Sequence, residues 1–582
     1  MVKKRMIIIL TIVELCIFAF IGRLVQLQLI STESFHGVNL IEASVTQRTQ
    51  QLVIDDGRGL FVDRHGEPLT YAYVPTLVLF PFLKKIDWPI DDIATIISLP
   101  KEAIKRQLEE AKGPIILHDG QQPVQLQPWQ MERINEMRIP GVIAVHKQIE
   151  QKEKYAQHLI GLLGQNEKVL KERYGERKLS PNMKIGVSGL QSSFDEFLIP
   201  DGETKLLYHV DARGEPLFGM DVKYTEQANP FYPITVQTTI DRSFQQRVEQ
   251  IVSQYHMEKG AVVLLDIETN DLVALVSAPA IDERDPYAND AAQNQALLPH
   301  VPGSVFKVVV AAAALEHGLV QGQQFNCNRK INGEPEEKKK GMRTFEDSFA
   351  ISCNNTFAEL GKQLIAIDGK MFDVYAQKLG LLPRVGWEGD VYHFSSFRPL
   401  REEKQGKIWT DERDKKIPLA VAQTSIGQKD VRLSPLAVAN MMATIARGGE
   451  AKQVRAVEKM MYKNGTTFFT FAEHRLTTDS LRKETVEQLQ QLLRLVVTHR
   501  EGTGHSFQSL PYEVAGKSGT AQTGKEGIVN RWFAGYFPAD RPKYALVVVQ
   551  LETTSSASAT NAIFADIVRA TYELEQKGRK EE

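Results

Sequence analysis

The eight residues after Lys307, "VVVAAAAL", leave a helix almost no polar face, and a helix that is apolar all round has to be covered on every side. Pro302 and Gly303 punctuate its start and Gly318 its end. The chain must therefore wrap other elements around an interior helix, and the flanking sequence supplies them. Upstream, "ITVQTTI" alternates as a strand, "DRSFQQRVEQIVSQYH" has the spacing of an amphipathic helix, and "KGAVVLLDIETNDLVALVSAP" gives two apolar strands about a polar turn. Downstream come the paired strands "RWFAGYFP" and "KYALVVVQLE" and a last helix, "ATNAIFADIVRATYELEQK". Hairpin-length turns between neighbouring strands predict an α/β (α+β) domain, residues 235–575, with an antiparallel sheet between helical layers. At 582 residues the chain exceeds what one core organises, and residues 31–225 read as a second, elongated mixed module with no evident chemistry. The charged stretch "RPLREEKQGKIWTDERDKK", Arg398 to Lys416, predicts a surface loop.

At the head of the apolar helix Ser304 and Lys307 stand three residues apart, one turn along the same face. A serine hydroxyl is a poor nucleophile until a neighbouring base takes its proton. Lysine serves as that base only when its pKa falls, which burial achieves and the positive end of a helix assists. The same pair also reads as a capping serine with a snorkelling lysine, and S-x-x-K arises by chance about once or twice in a chain of this length.

Two further stretches bear on that choice. In "FEDSFAISCNNTFAELG", Ser352, Cys353 and Asn354 precede a helical pattern, where a simple N-cap cluster is the plainer reading. In "EVAGKSGTAQTG", Lys517, Ser518, Gly519 and Thr520 follow a short apolar approach, where a glycine-rich turn is the plainer reading. Neither a phosphate loop nor G-x-S-x-G fits, because Pro511 and Leu190 stand where those motifs need glycine. No H-E-x-x-H zinc motif is present.

Taken in order, S-x-x-K, S-x-N and K-[ST]-G-T resemble the motifs of penicillin-binding proteins and serine β-lactamases. The spacings, 48 residues from Ser304 to Ser352 and 165 from there to Lys517, are similar to those of a penicillin-binding protein transpeptidase domain. The resemblance narrows to the class B, monofunctional high-molecular-weight group. "RGLFVDRHGEPLT" looks like that group's R-G-x-I-x-D-R-x-G-x-x-L-A signature, with Phe61 and Thr70 departing. "HLIGLLGQ", "SGLQSSFDEFL" and "DARG" match other pieces of its N-terminal pedestal, a dimerisation domain. "TSIGQKDVRLSPLAVANMMATIARGG" is similar to its I-G-Q-G…T-P-L-Q…A-N-G-G stretch, with Lys429, Ser434 and Leu436 differing, and His300 stands where a tyrosine is usual. The glycosyltransferase domain of class A is not recognisable ahead of residue 225.

The resemblance implies a peptidoglycan D,D-transpeptidase acylated by β-lactams, with a D,D-carboxypeptidase or a β-lactam sensor as alternatives. It implies Ser304 as nucleophile on the carbonyl between two terminal D-alanines of a stem peptide, and Lys307 as the base that takes its proton. Ser352 and Asn354 relay protons and hold the substrate amide; Lys517, Ser518 and Thr520 bind the terminal carboxylate, and Gly519 lets the strand approach closely. Backbone N–H groups of Ser304 and Thr520 form the oxyanion hole. The expected partners are stem peptides, β-lactams and a membrane glycosyltransferase, with no cofactor and no metal.

The N-terminus runs Lys3, Lys4 and Arg5 into an apolar stretch, residues 6–23, without a small-residue cleavage site. This predicts an uncleaved single-pass anchor, residues 1–5 cytoplasmic and the catalytic domain outside the cell membrane. Glu14 in mid-span either faces another membrane helix or is protonated. A net charge of −2 and the lack of a basic tract interleaved with aromatics exclude a nucleic-acid footprint. Of three cysteines, Cys327 and Cys353 read as unrelated buried thiols, with a bridge between them as the alternative if the chain is exported.

Overall fold

The computed structural model describes residues 2–26 and 49–581, apart from 177, 178, 180–182, 201, 212–215, 218–221, 226–228, 230, 477, 478 and 555. All of the "DARG" piece but Asp211 lies outside the described residues. The chain divides into two compact units, the first gathering Met1–Gly57, Ala72–Glu150 and Pro200–Asn229, the second Arg58–Tyr71, Gln151–Ile199 and Pro230–Glu582.

In the first unit, helix α1, Val2–Val25, contains an 18-residue window with a mean hydropathy of 2.4. At about 1.5 Å per residue it is about 36 Å long, enough to cross a hydrocarbon layer of about 30 Å. The rest of this unit includes two three-stranded sheets. One is antiparallel, built from Thr49–Asp55, Thr204–His209 and Lys223–Thr225. The other joins Ile115–Ile116, Tyr71–Leu79 and Val142–Glu150, and its neighbourhood is packed by Leu77, Leu79, Ile104 and Ile134.

The second unit is organised by strands β1 (Gly260–Asp266), β2 (Leu272–Ala278), β3 (Ala515–Gln522), β4 (Ile528–Phe537) and β5 (Tyr544–Thr554). They form one sheet in the order β2-β1-β5-β4-β3, antiparallel throughout, as the hairpin-length turns require. Its longest helices are α2 (Arg242–Gln254), α3 (Lys307–Glu316), α4 (Asn354–Ile367), α5 (Pro435–Ala446), α6 (Lys483–Thr498) and α7 (Thr560–Glu581). Alternation along the strands divides two layers. Val262, Leu264, Phe533 and Val548 pack with residues of α2 and α7, whereas Ala261, Val263, Trp532 and Val549 pack with α3 and α5. Within α3 every residue from Lys307 to Ala314 is fully buried, so the all-apolar run lies inside as its composition demands. Each of its valines contributes roughly 1.5–3 kcal/mol by leaving water.

Residues 58–71 and 151–199, read from sequence as part of the N-terminal module, cluster with the second unit. Leu60–Val62 pairs in parallel with Thr235–Thr238. Arg58, 1% exposed, meets Asp195 at 2.8 Å and Gln191 Oε1 at 2.8 Å. The "RG" of one quoted motif and the "SGLQSSFDEFL" of another are thus two halves of one buried ion pair. Removing Asp195 leaves the buried Arg58 guanidinium without its carboxylate, which costs about 3–5 kcal/mol, whereas Asp195 also pairs with Arg173 at 3.4 Å and accepts from Tyr174 at 2.9 Å.

Two expectations are corrected. The charged segment from Arg398 is not wholly a surface loop: Glu403 is buried, and its carboxylate accepts the backbone N–H groups of Val385 (2.8 Å) and Gly386 (3.0 Å). Burial pushes its pKa up despite those bonds. Cys327 and Cys353 are not separate thiols but a disulfide, with Cα atoms 5.8 Å apart. A short hairpin, Phe325–Asn326 with Met342–Arg343, packs against α4 and brings the residue after its first strand onto the residue before the helix. Sequence spacing alone carries no sign of that approach.

Candidate active site

Residues Gly303–Phe306 form a 3₁₀ turn that runs directly into α3. Side chains at i and i+3 eclipse in such a turn, which stacks Ser304 over Lys307. Gly303 holds φ at +56° and donates its N–H to the Gly427 carbonyl at 2.9 Å. A Cβ on Gly303 would lie 2.3 Å from the Thr520 carbonyl oxygen, and one on Gly519 would lie 2.5 Å from that of Pro302. The turn that presents Ser304 and strand β3 therefore meet backbone to backbone, at a distance only glycine permits.

Lys307 and Lys517 are both without exposed surface. Lys307 Nζ donates to Asn354 Oδ1 (2.7 Å), Ser352 O (2.9 Å) and Ser352 Oγ (3.1 Å). Lys517 Nζ donates to the same Ser352 Oγ at 3.0 Å and to Ser518 O at 3.2 Å. Desolvation, then the positive charges of Lys517 and Lys340, hold the Lys307 pKa well below the usual lysine value. Desolvation brings Lys517 down to about 7. Ser352, at a left-handed φ of 56°, accepts from both lysines. With its acceptor sites so occupied, its own hydrogen is free to point elsewhere. When Lys307 is neutral it has one N–H fewer and a lone pair, and that lone pair is a ready acceptor for a hydroxyl proton.

Strand β3 lies at the edge of the sheet, in register with β4 so that Lys517, Ser518, Gly519 and Thr520 oppose Ala534, Phe533, Trp532 and Arg531. Side chains alternate: Ser518, Thr520 and Gln522 face outward, while Lys517, Gly519 and Ala521 face inward. The Thr520 carbonyl points off the sheet edge, where Gln428 Nε2 donates to it at 3.3 Å. A strand residue's N–H and C=O leave on the same side, so the Thr520 N–H is directed off that edge as well, toward the turn bearing Ser304.

These elements enclose a cleft of about 640 Å³. Ser304, Ser352, Asn354, Ser518, Gly519 and Thr520 line it, and Lys307 and Lys517 lie beneath. All eight residues singled out from sequence thus come together. Lys517 differs from its expected place: it faces inward to Ser352 rather than into the cleft beside Ser518. Among the lining residues that sequence did not single out are Arg531, Gln428 and Lys340. Arg531 Nη1 donates to Thr520 Oγ1 at 2.7 Å, Gln428 braces both Thr520 and Gln522, and Lys340 comes from the 325–343 hairpin. Only Gln428 had a signal, inside "TSIGQKD". Lys429, where the resembling stretch has glycine, takes a left-handed φ of 54° and pairs with Asp414 and Asp430. His300 exchanges backbone hydrogen bonds with Leu433 and its ring contacts the Gln295 carbonyl at 3.1 Å. Burial takes its pKa down to about 4, so it is a neutral strut rather than an acid–base group near pH 7.

The family model described as Penicillin binding protein transpeptidase domain matches residues 260–569, and that described as Penicillin-binding Protein dimerisation domain matches residues 54–232. The chain is 23% identical over 596 residues to Stage V sporulation protein D of Bacillus subtilis (strain 168), covering 94% of this chain and 81% of that one. It is 28% identical over 382 residues to Peptidoglycan D,D-transpeptidase PbpA of Mycobacterium tuberculosis (strain ATCC 25618 / H37Rv), covering 59% and 72%. It is 21% identical over 560 residues to Peptidoglycan D,D-transpeptidase FtsI of Escherichia coli (strain K12), covering 91% and 84%. A solved structure described as "Structural coordination of polymerization and crosslinking by a peptidoglycan synthase complex" shares the fold, with a TM-score of 0.63 at 20% identity over 97% of this chain and 98% of that one. The transpeptidase match spans more than half of the chain and falls on the unit that carries the cleft, and the chain belongs to the penicillin-binding protein family.

Proposed function

We propose that the chain is a membrane-anchored peptidoglycan D,D-transpeptidase. The observation that carries this reading is Lys307, wholly buried, one turn from Ser304 and bonded to Ser352 and Asn354. Ser304 Oγ attacks the carbonyl between the two terminal D-alanines of a donor stem peptide, and neutral Lys307 takes its proton, directly or through Ser352. The N–H groups of Ser304 and Thr520 receive the developing oxyanion. The C–N bond breaks, the proton passes to the leaving amine, and D-alanine departs. An acceptor amine then attacks the ester, a new C–N bond forms, and Ser304 recovers its hydrogen. Ser518 and Thr520 hold the donor's terminal carboxylate, with the Lys517 charge behind them. β-Lactams present an acylating carbonyl to the same serine.

Lys3, Lys4 and Arg5, in the first turn of α1 ahead of its apolar run, support a cytoplasmic N-terminus with the cleft on the outer side. The related fold described in a complex that coordinates polymerization and crosslinking supports a membrane glycosyltransferase as partner. Incubation of the full chain with a D-Ala-D-Ala donor and an amine acceptor tests the reaction: cross-linked product in excess over hydrolysed donor is expected. Hydrolysis alone would mark a carboxypeptidase, and acylation without turnover a sensor.

The pH profile follows from the two lysines. Burial and the neighbouring positive charges hold Lys307 well below the usual lysine range, which favours the neutral form that acts as a base, and its protonation sets the acid limb of kcat/KM. Lys517 is charged below about pH 7 and loses that charge above it. For a donor with a free terminal carboxylate, kcat/KM is therefore expected to fall as pH rises through about 7. For a donor amidated at its C-terminus that alkaline fall is absent. Identical alkaline limbs for the two donors would show that Lys517 does not act on the carboxylate.

A further inference from the structure

Among the residues lining the cleft the charged side chains are Lys340 and Arg531; no carboxylate faces it. Arg531 is committed in part to Thr520. Lys340 is half-buried, and among the described residues its ammonium has no hydrogen-bond or ion-pair partner.

The backbone that presents Lys340 is fixed on both sides. Its carbonyl accepts from Arg343 Nε at 2.6 Å, and Arg343 in turn pairs with Glu501 at 2.8 Å. The next residue, Gly341, donates its N–H to Asn328 Oδ1 at 2.7 Å and accepts from Cys327 N at 3.0 Å. Cys327 is bonded to Cys353, which lies between Ser352 and Asn354. Asn355 Nδ2 also donates to the Asn326 carbonyl at 3.1 Å. The hairpin is thus fastened, covalently and by hydrogen bonds, to the very segment that carries the proton relay. A long, flexible side chain on a backbone held this firmly, with its cation turned to a cleft free of acids, is arranged to meet an anion from outside the chain.

Resting on the transpeptidase reading, we propose that Lys340 is a specificity-determining residue that binds a second carboxylate of the peptide substrate, distinct from the terminal carboxylate held near Ser518 and Thr520. A peptide side-chain carboxylate has the chemistry to pair with it, and either the donor or the acceptor strand can supply one. An ammonium–carboxylate contact in a half-buried setting is expected to change binding about five- to tenfold.

The test uses two synthetic D-Ala-D-Ala peptides that differ only in a side-chain carboxylate or carboxamide upstream of the D-alanines, and two amine acceptors differing in the same way. Binding of the peptides is measured on the Ser304→Ala background, where no turnover intervenes; partition of the acyl-enzyme to each acceptor is measured with Ser304 present. A preference for the carboxylate of about five- to tenfold that disappears in Lys340→Gln, is restored by Lys340→Arg and persists in Lys338→Gln is expected. If the preference appears in the binding arm, the donor supplies the group; if it appears in the partition arm, the acceptor does. Equal handling of carboxylate and carboxamide in both arms overturns the proposal, as does an equal loss in Lys338→Gln, which would reduce the effect to the general field of the lysine run. Because the binding arm needs no chemistry, a failure there is separable from a failure of the transpeptidase reading, which the product analysis reports by itself.

Discussion

Ser304→Ala abolishes covalent labelling of the chain by a fluorescent penicillin, while its melting temperature stays within about 2 °C of the parent. The expected loss reaches the detection floor, because the bond that retains the label is the one made by the deleted oxygen. The stability expectation follows from where that oxygen lies. Ser304 is half-buried on the cleft, so its removal opens no sealed cavity, and substitutions away from core packing usually fall within about 0.5 kcal/mol. The Gly303 contacts that set the turn are backbone contacts and survive the change. Undiminished labelling of the variant would place the nucleophile elsewhere.

Much of this site was legible because its chemistry needs rare residues in fixed local patterns. The apolar run after Lys307 dictated burial, burial dictated a lowered lysine pKa, and the structure gives both. The strand carrying Lys517 also had its geometry written in it. With a period of two, Lys517 and Ser518 cannot face the same way, and Lys517 indeed turns inward to Ser352 while Ser518 faces the cleft. That alternation is already present in "AGKSGTAQ". Other features depend on chain segments far apart in sequence. Arg58 meets Asp195 across 137 positions, Cys327 meets Cys353 across 26, and Gln428 reaches Thr520 across 92. None of these leaves a local pattern, since each is decided by which elements the core packs side by side. The same holds for Lys340, which in sequence is one of three lysines in a charged loop and in the fold is the one that lines the cleft.

Lys307→Met is expected to lower the rate of acylation by about 10²–10⁴-fold, and to raise the melting temperature by a few degrees. Methionine matches the length of the lysine stem and packs readily in an apolar interior, but offers Ser304 no base. The rise in stability comes from removing a group whose charged form is disfavoured by complete burial and by the neighbouring Lys517. Against it stand the acceptors left behind, Ser352 Oγ, Ser352 O and Asn354 Oδ1, each of which costs about 1–3 kcal/mol if left unsatisfied in the interior. They are not so left: Asn354 is exposed, both residues line the cleft where water reaches them, and Ser352 Oγ keeps Lys517. The pH dependence of stability separates this account from a packing effect. In the parent both lysines have folded pKa values below the usual lysine value of 10.5, Lys517 at about 7. From about pH 7 to 10 the unfolded chain therefore binds more protons than the folded one, and stability rises with pH across that window. Lys307→Met removes one of the two groups, so its melting temperature should exceed the parent's most near pH 7 and the gap should narrow toward pH 10. A gap that stays constant with pH would mean that the gain is apolar packing alone, and a variant that acylates at the parental rate would remove Lys307 from the role of base.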